Sequence, residues 1–389
     1  MALWLQKASL TSPDFVFPNR LEECVLLKWA IGQNPADAHA NYFLGNFWYA
    51  NRQYDEAISC WERSASLNDT FPTVFRNLAL AYFNKRGDAL KSLEALEKAY
   101  SLDTTDARVL MELDQLYKKL NHPPTERLSF LENHRTVSEQ RDDLYLERIT
   151  LYNQLGDYET ARTLLKNRQF HPWEGGEGRV VEQYLISQLE LAKQALIDER
   201  FAEALALLTE AETYPTSLGE GKLFGVQEND IFYLKGLAYE GMNDLPTART
   251  WFERATVGLD QPEQAIYYND QQPDKLFYQG LAWKKLNELQ KAEQLFNRLI
   301  EFGENHFHDV VKLDYFAVSL PDLLVFEADL NEKNRIHCQY LMGLGHLGLG
   351  NGHTARAIQY FDQILVLDAN HQGAARHKKM VDFLAGQTV

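Results

Sequence analysis

Cysteine is scarce in this sequence. Only Cys24, Cys60 and Cys338 occur in 389 residues, far apart and in neither a CxxC nor a zinc-type spacing. That spacing argues against a disulfide framework or a structural zinc site, and the three thiols read as reduced core or surface groups. Positive charge is also short. Lys and Arg total 39 against 55 Asp and Glu, a formal net charge of -16 with no long basic run. Nucleic acid and anionic membrane surfaces are therefore not expected partners. No stretch approaches the roughly 18 to 20 apolar residues of a membrane span. Met1 to Pro18, with one Lys and short apolar runs, looks irregular and lacks the charged start and apolar core of a secretion signal. A cytoplasmic protein is the expectation. A GxxxxGK[ST] loop is missing and no GxGxxG follows a strand, so nucleotide chemistry has no support and no cofactor is expected. His306 and His308, beside Asp309, miss the i, i+4 spacing of a helical metal pair, and His337-Cys338 reads as helix packing. No metal site is expected.

What the chain does have is a recurring pattern of small and large apolar residues. In Gly236 to Ala255 the small residues Gly236, Ala248 and Ala255 alternate with Tyr239 and Phe252. Gly45, Trp48, Ala57, Trp61 and Ala65 repeat the pattern, as do Gly280, Trp283, Ala292 and Phe296. Small residues let one helix approach the next, and large ones fill the seam. Weaker copies follow Ala79, Asp114, Ile149, Ala192 and Gly345; in the Ala79 copy Lys91 stands where a small residue belongs. These spacings resemble the tetratricopeptide repeat. Each helix is too short to be stable alone, so stacking on neighbours is implied. The expected fold is all-α, a right-handed α-solenoid of about eight tetratricopeptide-like helix pairs. Residues 1–35 form an N-terminal segment and capping helix, 36–370 the repeat array, and 371–389 a C-terminal capping helix and tail.

The steps between equivalent small residues are 34, 35 and 35 from Gly45 through Ala79 and Asp114 to Ile149. They become 43, 44, 44 and 65 from there through Ala192, Gly236 and Gly280 to Gly345. The extra residues all fall between one repeat and the next, which predicts loops emerging along one edge. The first loop reads Phe170-His-Pro-Trp-Glu-Gly-Gly-Glu-Gly178 and the second contains Leu218-Gly-Glu-Gly221. Tyr267-Tyr-Asn-Asp270 with Pro273-Asp274 forms the third, and Asp314 to Asp322 the last. Aromatic faces and acids are the materials of a sugar site. His171, Trp173, Glu174, Glu177, Asn269, Asp270, Tyr315, Phe316 and Asp322 are the candidate ligand-binding residues, with no catalytic residue assigned. Loops crossing a helix edge also use such residues to satisfy backbone groups, which is the plainer account. A second candidate surface is a concave groove lined by the first helices of the pairs. There Tyr42, Asn46, Tyr49, Arg76, Asn77 and Arg108, with Phe83 and Gln115, would meet an extended peptide. Asn46, Asn77 and Arg108 resemble part of the carboxylate clamp of chaperone-binding tetratricopeptide domains. Tyr42 and Glu112, however, replace basic residues, so the clamp is expected to be absent.

The loop motifs, together with Pro18-Asn-Arg20 and Arg141-Asp-Asp143, resemble a bacterial family of large tetratricopeptide proteins in which a β-rich, mutarotase-like region precedes the repeats. The likeness covers nearly all of this chain and implies either the C-terminal part of a longer protein or a stand-alone relative. It implies a binding scaffold for a protein or peptide partner, with an adjoining β-rich domain or a carbohydrate as further candidates. The alternative is a component of a glycoside-processing enzyme whose main catalytic domain lies outside this chain.

Overall fold

A computed structural model describes residues 2–13, 16–173, 175–265, 270–311, 325–350 and 352–386. Among them are twenty α-helices, one short 3-10 turn and no strand, so the all-α expectation holds. No helix among the described residues is long and apolar enough to cross a membrane. By contacts the chain divides into two compact units. The first comprises Met1–Leu120, Arg135–Arg141 and Leu324–Glu327; the second comprises Asn121–His134, Asp142–Leu323 and Ala328–Val389.

Local chemistry explains why the helices come in pairs. The turns between paired helices reach the left-handed backbone region at Arg52, Gly87, Glu199, Asn243 and Asn287. Asp88, Asp157 and Asp244 then accept a hydrogen bond from a first-turn amide of the second helix. At Gly87-Asp88, Gly156-Asp157 and Asn243-Asp244 a left-handed residue ends one helix and an Asp caps the next, which is how short polar turns reverse a chain. The seam is set by glycine. A Cβ on Gly45, Gly236 or Gly280 would lie 2.4, 2.4 and 2.3 Å from Trp61, Phe252 and Phe296 respectively. The ring packs directly on the helix backbone, so no larger residue fits there.

Several expectations need correction. Met1 to Pro18 is not wholly irregular, because Ala2–Leu10 is helical. Lys91 does not occupy the seam of its pair. Ser92, one residue on, is fully buried there and its hydroxyl donates to the Ala79 carbonyl at 2.8 Å. In the last pair Gly343, rather than Gly345, faces Phe361, while Gly345 approaches Ile300 and the Phe296 carbonyl of the preceding pair. The extra residues are also not all loop. Arg179–Ile197, Leu289–His306 and Leu330–Leu349 run to 19, 18 and 20 residues, so part of the added length extends helices.

In the first unit, Leu21–Gln33 packs Cys24, Leu27 and Ile31 against Leu44, Phe47, Trp48 and Cys60. Burial pushes the Cys60 thiol up to about 11, which keeps it protonated and unreactive. In the second unit one apolar core runs from Tyr158 to Phe383.

Candidate functional site

In the first unit, Ala38–Ala50 and Pro72–Arg86 are the first helices of two successive pairs, and Ala107–Lys119 follows them. These three helices carry the six groove residues expected from the sequence. Tyr42 is buried edge-on against Phe71. Asn46 accepts from the Trp61 indole at 3.0 Å and from the Asn77 amide at 3.3 Å. Arg76 grips Glu112 through both Nε and a terminal nitrogen, at 2.7 and 2.5 Å, and Arg108 reaches the same carboxylate at 3.1 Å. The Glu112 side chain is fully buried. Both arginines are thus committed to Glu112, which takes the place a ligand carboxylate would occupy in a clamp.

Next to these residues the first unit holds a short non-helical piece of the chain's own sequence. Val325-Phe326-Glu327 precedes the Leu330–Leu349 helix in sequence and belongs to the first unit by its contacts. Asn84 holds it by the backbone. Its side-chain amide nitrogen donates to the Val325 carbonyl at 2.9 Å, and its oxygen accepts from the Glu327 amide at 2.8 Å. Phe326, only 1% exposed, meets the Phe83 ring edge-on with centroids 5.0 Å apart. Glu327 pairs with Lys85, whose ammonium also lies over the Tyr54 ring. Burial pushes the Tyr49 hydroxyl above its usual range; Lys85 opposes that shift, while Tyr54 and Glu327 add to it, so Tyr49 shares the neighbourhood. Magnitudes rank the contacts. Burying a Phe contributes about 2 kcal/mol, each amide bond about 1 kcal/mol net, and an ion pair as exposed as Lys85–Glu327 less than about 1 kcal/mol. Phe326 is the anchor, Asn84 holds the backbone on either side of it, and Lys85 adds preference. Asn84 and Lys85 were not picked out from the sequence, although they directly follow Phe83 in the last turn of the same helix.

The inserted loops belong to the second unit. The first two meet: the Phe170 amide donates to the Ser217 carbonyl at 2.8 Å, and the Gly178 amide donates to the Glu220 carboxylate at 2.8 Å. Glu220 thereby satisfies the amide of Gly178, the residue that begins the Arg179–Ile197 helix. Burial raises the Glu220 carboxyl above its usual range; the Gly178 amide opposes this and Glu177 adds to it. Glu177 itself is exposed. His171 is also largely exposed, and its ring and backbone amide both reach Asp142, at 3.1 and 2.9 Å. Burial works to raise the Asp142 carboxyl, but the His171 amide and Arg168 hold it below the usual range. Trp173, half-buried, lies against Gly176, where a Cβ would come within 2.1 Å of the indole. Asp270 sits just before the Pro273–Lys285 helix, and its carbonyl accepts from Gln272 at 3.1 Å. Glu174, Asn269, Tyr315, Phe316 and Asp322 lie outside the described residues. His306 pairs with Asp309 at 2.7 Å, and no group of three or more metal-ligating side chains occurs among the described residues.

In the second unit the corresponding helix face is covered by the C-terminal helix, Gln372–Ala385. Gln372 donates to the Thr150 carbonyl at 3.0 Å, and the Tyr278 hydroxyl approaches the Met380 sulfur at 3.5 Å. Arg376 joins Glu190 at 2.9 Å, and Glu190 also takes Lys193 at 2.8 Å. Burial alone would raise the Glu190 carboxyl, but Lys193 and Arg376 hold it down to about 2. His377 is buried beside the Tyr340 hydroxyl, 2.9 Å away. Its imidazole is pushed down to about 3, first by burial and then by Arg376 and Lys193.

Comparison with known proteins gives a match between residues 26–68 and the tetratricopeptide repeat family model. Among solved structures the chain is similar to YrrB, described as a TPR protein with an unusual peptide-binding site. That match has 14% identity and a TM-score of 0.31, and covers 59% of this chain and 90% of that one. It is also similar to the structure of Naa15/Naa10 bound to HypK-THB, with 12% identity and a TM-score of 0.42, covering 92% of this chain and 58% of that one. The complex of the TPR2AB domain of yeast Sti1 with pHSP90 matches at 14% identity and a TM-score of 0.30, covering 68% of this chain and 90% of that one.

Proposed function

We propose that this protein is an interaction scaffold that takes an extended polypeptide on the first-helix face of its first unit. The observation that carries the reading is the Asn84 side chain, which grips a peptide backbone through both its donor and its acceptor. Amide side chains that pair with backbone groups on either side of one residue bind extended chain whatever its sequence, and flanking pockets then select side chains. Asn46, Asn77 and the Arg76–Glu112–Arg108 cluster continue the same polar face. The partner on this reading is a protein or peptide.

The finer reading, a carbohydrate or a β-rich partner domain at the inserted loops, draws less support. The described loop residues are engaged in holding the loops: His171 on Asp142, Trp173 on Gly176, and Glu220 on Gly178. A peptide-display selection on the full chain tests the scaffold reading. Selected peptides should lose at least tenfold in affinity when Asn84→Ala is combined with Asn77→Ala. Binders indifferent to both changes would overturn it. A thermal shift with a carbohydrate panel that vanishes in Trp173→Ala would instead move the ligand to the loops.

A further inference from the structure

The three residues seated on the first unit are chemically particular, and their arrangement says what else would fit. One is aromatic and almost fully buried, the next is acidic and paired to a lysine, and the carbonyl before the aromatic residue and the amide after it are both held by the one Asn84 side chain. Here Val325 to Glu327 joins a unit whose other described parts lie between residues 2 and 141, so the contact is long-range and short. Such a contact is in effect a ligand supplied in cis. Its strength depends on effective concentration as much as on contact quality, and a matching segment from outside can compete for it.

We propose that Val325-Phe326-Glu327 is an internal stand-in for the partner. On this proposal the site formed by Tyr49, Tyr54, Phe83, Asn84 and Lys85 recognises an extended peptide bearing an aromatic residue followed directly by an acidic one, and that peptide binds by displacing residues 325–327. This rests on the scaffold reading above and adds two things to it: the class of sequence recognised and a self-occupied resting state. The chemistry divides cleanly. Phe83 and its neighbours offer an apolar seat that rewards an aromatic ring. Lys85 supplies one positive charge at the next position, where an acid gains and a base is repelled. Asn84 demands an extended chain with a free carbonyl and a free amide flanking the aromatic residue, so proline directly after it is excluded.

The test uses the full chain and a fluorescent peptide with this protein's own sequence Leu324-Val-Phe-Glu-Ala-Asp329, read by fluorescence anisotropy. The unsubstituted chain is compared with the double variant Phe326→Ala with Glu327→Ala, which weakens the internal segment, after circular dichroism has confirmed its helical content. The peptide should bind the double variant at least tenfold more tightly than the unsubstituted chain. Replacing the peptide's Phe by Ala should cost more than tenfold, and replacing its Glu by Lys roughly fivefold. An independent arm uses Lys85→Glu, an exposed position where folding is not at stake: here the peptide with Lys in place of Glu should become the better ligand. Equal binding to the unsubstituted and double-variant chains, or indifference to the Phe and Glu changes, would overturn the proposal and leave the scaffold reading standing. If display selection on the double variant yields no extended peptide sensitive to Asn84, the scaffold reading itself fails.

Discussion

The two units fill the same kind of helix face in opposite ways. In the second, a whole helix lies over it, bringing Ala374, Met380 and Phe383 into the common core and Arg376 into a buried ionic group with Glu190 and Lys193. In the first, three residues sit on it, with one buried ring and two backbone hydrogen bonds. An occupant that is part of a core cannot leave without unfolding its host, because it would expose apolar surface and strand a buried charge. A clamp on a short segment can open at a small local cost. The first face is therefore the one suited to exchange.

The comparison breaks most decisively at Arg376. Replacing it by Ala strands Glu190 with a single partner in a buried site, and should lower the stability of the second unit by about 3 kcal/mol in urea denaturation. A change within error would mean the helix is a loose occupant and the contrast is false. Acid should act on the same face. Unfolded His377 takes up a proton near its ordinary pKa of 6.5, whereas the folded residue resists until about 3. Stability should therefore fall as pH drops through that window, joined below about 4.5 by Glu190, whose folded pKa of about 2 is depressed. His377→Gln should remove about 3 kcal/mol of the loss between pH 6.5 and pH 4, measured by melts across pH.

At the first unit the expected effects are smaller and local. Phe326→Ala should lower stability by about 2 kcal/mol, below the roughly 3 to 5 kcal/mol of a Phe lost from a core that cannot open locally. The Glu327 amide, which donates to Asn84, should meanwhile lose hydrogen-exchange protection. A core-sized loss would show that the segment is structural. The smallest effect is expected at the inserted loops. Glu220→Gln keeps an oxygen for the Gly178 amide and should cost less than about 1 kcal/mol in a thermal melt.

Much of the fold was legible because helix seams demand specific sizes. Gly45, Gly236 and Gly280 sit under rings sixteen residues on, and that requirement is visible in sequence. The seam failed to read where the helix register moved. Ser92 replaces Lys91 because Pro72–Arg86 runs to 15 residues against the 13 of Ala38–Ala50, which the shorter Gly87-Asp88 turn offsets only in part, and a one-residue slip rotates the whole buried stripe. The groove residues were legible from the same register: Asn46, Asn77, Arg76 and Arg108 do share a face. That Glu112 joins the two arginines was half visible, as an acid where a base was expected. The occupant was not legible, since pairing Asn84 with residues some 240 positions away needs long-range geometry that no local pattern encodes. The acids of the first loop drew attention for chemistry, yet Glu220, from the next loop, is the one that satisfies the Gly178 amide.

Phe83, Asn84 and Lys85 are consecutive, and each touches a different aspect of the bound segment. Asn84 registers only that a backbone is present; it is blind to which side chains that backbone carries. Identity is read by the residues on either side of it. Retargeting this face to a new sequence thus needs two substitutions flanking an unchanged asparagine, so that affinity for chain and choice of chain can be altered separately.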